Sequence, residues 1–213
     1  MKVETLTVGP IEENCSIIFC EEHRSAIIVD PGDSGRRIAE YIDKNNLIPK
    51  VIIATHCHSD HTGGIAAVKE HFNIPFLCHE DDVWMLTDRE QLATAEYLGI
   101  KPPPMNDATL SDGESIDLCE DFALKVIHTP GHTPGGICLY SEGVLISGDT
   151  LFENSIGRSD LTGGNHNQLI KSIKEKLLPL PGETIVYPGH GDHTTINSEK
   201  RNNPFLRQLE GFA

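Results

Sequence analysis

The sequence predicts an α/β protein in which helices cover sheets. Short apolar runs rich in β-branched residues alternate with amphipathic stretches, an alternation that is typical of α/β architecture. The predicted strands are SIIF, AIIVD, VIIAT, PFLC, ALKVIH, GICLY, GVLIS and TIVYP. At 213 residues the chain is long enough to bury a large apolar core, and we predict a single domain over residues 1–213.

Two stretches are predicted to be packing helices. The first spans residues 34–46 and begins at a capping Ser34, and the second spans residues 167–178 and stops at Pro179. Their apolar faces consist of Ile38, Tyr41 and Ile42 in the first helix and Leu169, Ile170, Ile173 and Leu177 in the second. Between them, residues 80–112 form a polar, helical excursion that ends in the proline-stiffened KPPPMND. It separates two halves with a faint likeness, VIIATHCHSDHTGGI and KVIHTPGHTPGGI, which predicts two related halves.

The composition is strongly acidic. With 17 basic and 32 acidic side chains the formal charge is −15, and no lysine or arginine run offsets it locally, which argues against a nucleic-acid partner. The N-terminal MKVETLTVGP lacks the apolar core of a signal peptide, and no run approaches the roughly 20 apolar residues of a membrane helix. We therefore expect a cytoplasmic protein with no membrane partner. The six cysteines contain no CxxC pair and are expected to be reduced and mostly buried.

One short motif, THCHSDHTGG, concentrates metal-binding side chains directly after the predicted strand VIIAT. In extended chain alternate residues share a side, so His56, His58 and Asp60 can converge while Cys57 and Ser59 point away. Asp60 and His61 then turn into a helix, where the double glycine allows a tight backbone. The spacing therefore makes a pocket with several ligands feasible.

Three further clusters follow apolar runs in the same way: His132 in TPGHTPGG, Asp149 in SGDT and His190 in YPGHG. If these runs are sheet strands, their carboxyl ends bring all four loops to one edge. The seven residues are then more than one four-coordinate ion requires and suit two divalent ions that share a bridging carboxylate and water. Imidazole and carboxylate ligands predict zinc, with iron or manganese as alternatives.

The remaining histidines have weaker signals. His128 and His193 are close in sequence to proposed ligands and are candidates to orient them by hydrogen bonds. No pattern surrounds His23, His71 or His79, which are expected to be ordinary surface or partly buried residues, and His166 is expected to begin a helix. Cys57 is expected to pack against apolar neighbours.

The motifs THCHSDHTGG, PGHTPGG, SGDT and YPGHG, in this order, resemble those of the metallo-β-lactamase superfamily, and VDPG at Asp30 resembles its early strand-end motif. The resemblance covers almost the whole chain and implies a four-layer αββα sandwich with a dinuclear site along one edge. The pattern is most similar to glyoxalase II, the hydroxyacylglutathione hydrolases, and specifically to their short single-domain bacterial relatives. The stretches LFENSIGRSDLTGGNHNQL and EKRNNPFL add to that similarity.

The resemblance also implies a role for each residue. The first ion would be held by His56, His58 and His132, the second by Asp60, His61 and His190, and Asp149 would bridge the two. Asp30 would brace the loops behind the site. True β-lactamases usually carry cysteine or serine in place of Asp149, so an aspartate favours the glyoxalase branch.

The chain departs from the longer glyoxalase II enzymes, whose C-terminal helical extension supplies basic contacts to glutathione. Here 23 residues follow His190, from position 191 to 213, so we expect no such domain. Contacts to an anionic substrate would have to come from Arg158, Lys200, Arg201 or Arg207, without help from the net charge of −15.

The predicted activity is hydrolysis of a small-molecule 2-hydroxyacyl thioester, such as lactoylglutathione, by a bridging hydroxide, with Asp60 receiving or relaying a proton.

The leading alternative is a persulfide dioxygenase, a similar class that uses one iron held by the equivalents of His56, His132 and Asp149. Those enzymes tend to have alanine in place of the glycine of YPGHG and an HTxGC motif, so YPGHG and HTPGG favour the hydrolase. A nuclease of the same superfamily is disfavoured by the acidic composition. A metal-binding protein without catalysis is disfavoured because all seven ligands are present. The oligomeric state is left open.

Overall fold

The computed structural model describes residues 1–207 and contains two six-stranded sheets that pack face to face. The first sheet has its strands in chain order: β1 (Lys2–Val8), β2 (Glu13–Phe19), β3 (Ser25–Val29), β4 (Ile48–Ile53), β5 (Phe76–His79) and β6 (Ala108–Leu110). The second sheet comprises β7 (Ser115–Cys119), β8 (Phe122–His128), β9 (Ile137–Ser141), β10 (Val144–Gly148), β13 (Ile185–Pro188) and β14 (Thr194–Thr195). Its order is β14-β13-β10-β9-β8-β7, and β11 (Leu151–Phe152) pairs separately with β12 (Ser155–Ile156).

Within residues 1–207, seven α-helices and one 3₁₀ helix accompany the two sheets. They are α1 (Gly35–Lys44), α2 (Ser59–Thr62), α3 (Ile65–Phe72), a 3₁₀ helix (Glu80–Thr87), α4 (Arg89–Leu98), α5 (His166–Ser172), α6 (Ile196–Asn202) and α7 (Pro204–Arg207). A π-helical turn, Ile173–Leu177, continues α5. No helix within residues 1–207 is long and apolar enough to cross a membrane.

Three apolar layers hold these elements together. Side chains of α1 and α3 pack on the first sheet, those of α5, its π-helical turn, α6 and α7 pack on the second sheet, and the inner faces of the two sheets pack on each other. Strand β3 shows the arrangement, because Ile28 faces the helices while Ile27 and Val29 face the opposite sheet. A strand buried on both faces needs a continuous apolar run, and each fully buried isoleucine contributes roughly 1.5–3 kcal/mol. The predicted αββα sandwich is confirmed.

The eight predicted strands all occur, but β1, β6 and β7 and the short strands β11, β12 and β14 were not predicted. The edge strand β1 is half-exposed, so its sequence lacks a continuous apolar run. The prediction of Ser34 as a capping residue was wrong. Ser34 has a left-handed backbone with φ 53°, and its side chain makes no capping hydrogen bond to α1. All six cysteines are free thiols.

Candidate metal centre

The carboxyl ends of the parallel strands β3 and β4 begin the site. Asp30 follows β3, and the loop after β4 carries His56 and His58 into the single turn of α2, which holds Asp60 and His61. The two loops touch, because a Cβ at Gly32 would lie 1.6 Å from the backbone oxygen of Asp60. The glycine of VDPG therefore permits the close approach that brings the two loops together.

The second sheet supplies the remaining three residues. His132 lies in the loop after β8, and Asp149 and His190 follow the parallel strands β10 and β13. Gly148 has a left-handed φ of 46°, and a Cβ there would lie 2.3 Å from Oγ1 of Thr55 in the other half. The two sheets thus deliver the seven predicted residues to one edge of the sandwich, where they lie close together.

His56, His58 and His132 form the first group. Nε2 of His132 lies 3.2 Å from Nε2 of His56 and 3.0 Å from Nδ1 of His58, and all three side chains are buried. Burial and the neighbouring histidines lower the pKa of His56 well below its usual range and that of His58 to about 3. Neutral imidazole nitrogens that face one another this closely direct their lone pairs at a common point, which suits a cation.

Asp60, His61 and His190 form the second group. Oδ2 of Asp60 lies 3.3 Å from Nε2 of His190 and 3.6 Å from Nε2 of His61. Burial raises the pKa of Asp60, but His61 and His190 outweigh it and hold that pKa below its usual value. The carboxylate is therefore ionised and available as a ligand or a proton acceptor.

Asp149 lies between the two groups. Its Oδ1 is 3.4 Å from Nε2 of His61, and its Oδ2 is 3.5 Å from Nε2 of His132 and 3.8 Å from Nε2 of His190. Burial raises the pKa of Asp149, but the surrounding histidines together outweigh it and hold that pKa below its usual value, so the group is ionised. The carboxylate therefore lies within 4 Å of residues from both groups, a position that suits a bridging ligand.

The residues present fit two divalent ions. Nε2 of His61 and Oδ1 of Asp149 are buried and have no hydrogen-bond partner, a costly state that a shared cation would remove. Three sets of potential ligand atoms converge within the cluster: His56, His58 and His132; His56, His61 and Asp149; and Asp60, His61 and His190. The first and third sets agree with the predicted ligand groups, and metal ligation by these residues stays a prediction.

Hydrogen bonds fix the orientation of two of these histidines. Nδ1 of His61 donates to Oδ2 of Asp30 at 3.1 Å, and Nδ1 of His132 donates to the backbone oxygen of Arg158 at 2.6 Å. In the neutral form of each imidazole, Nε2 then carries no proton and is directed into the site. Asp30 also accepts hydrogen bonds from N and Oγ1 of Thr55, both at 2.6 Å, which is the bracing role expected for it.

The expectation that His128 and His193 orient ligands was wrong. His128 stacks on His79 with ring centroids 4.0 Å apart, and its Nε2 bonds to the backbone oxygen of Pro134. His193 packs against Tyr187 and bonds to Thr5. Both side chains make these contacts with residues outside the cluster. Proximity in sequence to a proposed ligand therefore did not predict a contact with it.

Two buried carboxylates near the site were not predicted from the sequence. Asp82 accepts hydrogen bonds from N of Cys57, Oγ1 of Thr133 and N of Gly135, and so joins the histidine loops of the two halves. Glu13 lies with Oε1 3.8 Å from Nδ1 of His61, and burial raises the pKa of Glu13 well above its usual range. Neither residue lies in a recognisable motif, so only the tertiary structure reveals them.

A cavity of about 530 Å³ opens onto the cluster and is lined by His58, Asp60, His132, Asp149 and His190 among others. Arg158 is the only lysine or arginine that lines it in the described part of the chain, and its guanidinium forms a bidentate pair with Asp160. Lys200 and Arg201 belong to α6 and Arg207 to α7, and none of the three lines the cavity. The structure therefore brings only one of the predicted substrate contacts to this cavity.

The family model of the metallo-beta-lactamase superfamily matches residues 8–190. The chain belongs to the metallo-β-lactamase superfamily. It is 36% identical to the hydroxyacylglutathione hydrolase GloC of Haemophilus influenzae, over 97% of this chain and 98% of GloC. The superfamily consists mostly of metal-dependent hydrolases.

Two solved structures extend the comparison. The B3 metallo-beta-lactamase BLEG-1 has a TM-score of 0.89 and 38% identity, over 96% of this chain and 99% of BLEG-1. The di-iron-bound form of TTHA1623 has a TM-score of 0.87 and 37% identity, over 96% of this chain and 100% of TTHA1623. The superfamily fold binds a dinuclear metal centre, in agreement with the histidine-rich cluster.

Proposed function

We propose that the protein is a dinuclear metal-dependent hydrolase of 2-hydroxyacyl thioesters such as lactoylglutathione. The observation that carries the proposal is the position of Asp149 between two complete ligand groups, at the wall of an open cavity. The 36% identity to a hydroxyacylglutathione hydrolase over almost the full length of both chains supports the thioester as substrate.

Gly189 supports a centre of two ions rather than one. A Cβ at this position would lie 2.3 Å from Oδ1 of Asp149 and 2.7 Å from Cε1 of His61. Real Cβ atoms do not approach other atoms so closely, so an alanine would displace both side chains. The glycine thus preserves the contact between the bridging carboxylate and the second ligand group, which a mononuclear centre does not need.

The chemistry divides between the ions and the protein. Two divalent ions bound here would lower the pKa of a water molecule towards 7 and polarise the thioester carbonyl. Asp60 lines the cavity as an ionised carboxylate, so it can accept the proton that the attacking water loses. A thiolate leaves readily because its own pKa is low, so the site needs no strong general acid.

The cavity also suits the size of the proposed substrate. Its volume of about 530 Å³ is within the range of roughly 300–1,000 Å³ for small-molecule sites. Apolar side chains of Ile11, Leu98, Phe152 and Leu161 contribute to the lining, and Arg158 provides the cationic group for a substrate carboxylate. Glu90 lines the same cavity, so the electrostatic attraction for an anion is weak.

The proposal is tested by assaying release of thiol from lactoylglutathione. Metal-stripped protein should be inactive, and added zinc, iron or manganese should restore turnover. Asp149→Ala should remain inactive in the presence of metal, whereas Asp43→Ala, which removes an exposed aspartate, should behave as the parent protein. Turnover that survives stripping, or persists in Asp149→Ala, would refute the mechanism.

A persulfide dioxygenase is the second candidate, because His56, His132 and Asp149 alone could form the two-histidine, one-carboxylate triad of a non-haem iron site. Oxygen consumption with glutathione persulfide, without thioester hydrolysis, would favour this activity. A β-lactam belongs in the same panel of substrates because BLEG-1 is described as a B3 metallo-beta-lactamase. Hydrolysis of the β-lactam alone would overturn the thioester assignment.

A further inference from the structure

A separate group of metal-binding side chains, the cysteine group, lies at the ends of the strands opposite to the histidine cluster. It consists of Cys20, His23 and Cys119, whose ligand atoms all lie within 4.8 Å of one another. Cys20 precedes β3, and Cys119 pairs with Phe122 at the start of β8. The seven-residue histidine cluster, here called the main cluster, instead follows the carboxyl ends of β3 and β8. The two groups are therefore separated by the length of the sheets.

Two tight turns carry the residues of the cysteine group. Cys20 and His23 belong to the turn CEEH between β2 and β3, where N of Arg24 donates to the backbone oxygen of Cys20 at 2.8 Å. Sγ of Cys20 lies 3.3 Å from Nδ1 of His23. Cys119 begins the equivalent turn CEDF between β7 and β8. Each turn thus presents one sulfur atom, and the first adds an imidazole.

The two cysteines differ in acidity. The nearby Cys119 thiol and the neighbouring His23 lower the pKa of Cys20 to about 7. The proximity of Cys20 raises the pKa of Cys119, and a bound cation would displace the proton of this thiol. Thiolate is the form that binds metals.

The donor set selects a soft cation. Two thiolates and one imidazole match the ligands of zinc, with a fourth position left for water or another ligand. Ligand atoms at 2.1–2.3 Å from a tetrahedral ion lie roughly 3.6 Å apart, and the sulfur–nitrogen distance of 3.3 Å requires only a small adjustment. The carboxylates of Glu22 and Glu120 lie near His23 and add attraction for a cation.

We propose that Cys20, His23 and Cys119 bind one zinc ion that joins the two sheets at the edge opposite the main cluster. The same edge already has two cross-sheet contacts, in which Oγ of Ser25 and Nζ of Lys50 donate to the backbone oxygen of Leu118 at 2.6 and 2.9 Å. An ion that binds only the folded chain would stabilise this junction. The assignment does not depend on the proposed hydrolase activity.

The test uses cobalt, because sulfur-to-cobalt charge transfer absorbs in the near ultraviolet and the main cluster contains no cysteine. Full-length protein is stripped of metal and titrated with Co²⁺ under a thiol-free reductant. The wild type should develop the charge-transfer band and bind one Co²⁺ more than Cys119→Ser, which should lack the band. Cys138→Ala removes a buried cysteine from another core layer and should keep the band.

A second pair of variants guards against misfolding. His23 and His71 are both exposed, so His23→Ala and His71→Ala should both fold. Only His23→Ala should lose Co²⁺ affinity at the sulfur site, by more than the roughly 10–100-fold that loss of an outer-shell partner costs. Absence of the band in reduced wild type, or its persistence in Cys119→Ser, would overturn the proposal. So would equal Co²⁺ affinities in the two histidine variants.

Discussion

Gly189 lies directly against Asp149. A Cβ at position 189 would lie 2.3 Å from Oδ1 of that aspartate, so the absence of a side chain leaves the space in which the carboxylate contacts both ligand groups. Gly189 has no left-handed φ, and the need for glycine is therefore steric rather than conformational. The glycine of the motif YPGHG therefore affects how many ions the site can hold, because it leaves room for the bridging carboxylate.

Gly189→Ala is predicted to displace Asp149 and His61 and to lower the metal content of the histidine cluster from two ions towards one. Turnover should fall about 100-fold or more, equivalent to roughly 2.7 kcal/mol of transition-state stabilisation. Gly191→Ala is the matched control, since a Cβ there meets no atom within 4 Å, although its φ of 76° adds strain of about 1 kcal/mol. Metal analysis and turnover measured together decide the result, and retention of two ions by Gly189→Ala would contradict the steric explanation.

Asp30→Asn is predicted to weaken metal binding through His61. The aspartate accepts hydrogen bonds from Nδ1 of His61 and from N and Oγ1 of Thr55, and an asparagine would direct an N–H₂ group at one of these donors. Loss of such an orienting partner typically lowers metal affinity about 10–100-fold. Titration calorimetry should detect this change, whereas Asp43→Asn at the surface should leave the affinity unchanged.

The two ions are predicted to respond differently to pH. Burial lowers the pKa of His56 and His58, so these imidazoles are neutral, with one nitrogen free to bind metal, at neutral and mildly acidic pH. Burial also lowers the pKa of His61 and His190, but the neighbouring carboxylates outweigh it, so the pKa of both is raised and a proton competes with metal there. On acidification from about pH 8 to pH 6, affinity for the second ion should fall more than affinity for the first. Equal losses in metal titrations at the two pH values would show the assignment to be wrong.

Arg158→Ala is predicted to raise KM for lactoylglutathione with little effect on kcat, because the guanidinium lines the cavity but lies outside the metal cluster. The effect should be modest, about 3–10-fold, since Asp160 already pairs with this side chain. A thioester of an uncharged thiol should show no change in KM. Lys200→Ala and Arg201→Ala are controls, because neither residue lines the cavity. An equal KM increase for both substrates would remove Arg158 from the recognition of anions.

The sequence predicted the layered fold because strands buried on both faces, such as β3 and β4, need long runs of apolar residues. The sequence also predicted that the seven cluster residues meet at one edge of the sandwich. They follow apolar strands and lie next to glycine or proline residues. The half-exposed strand β1 lacks a continuous run of apolar residues, so it was not predicted. The left-handed backbone of Ser34 could not be predicted, because serine does not favour that conformation. These elements depend on their tertiary surroundings.

The residues that support the site were less predictable. His132 is oriented by a backbone oxygen, that of Arg158, which any residue could provide. Asp82 joins two loops from the polar excursion, and its sequence context contains no motif. The grouping of Cys20 with Cys119 joins positions 99 residues apart, from 20 to 119, in a chain without CxxC pairs. Such long-range contacts are properties of the fold rather than of local sequence.

Asp149 is predicted to join two neighbouring ions in one centre. Electron paramagnetic resonance of protein reconstituted with two equivalents of Mn²⁺ tests it most directly, because manganese disfavours the thiolates of Cys20 and Cys119. We expect the spectrum of an exchange-coupled manganese pair. A spectrum of isolated, uncoupled Mn²⁺ ions would contradict it.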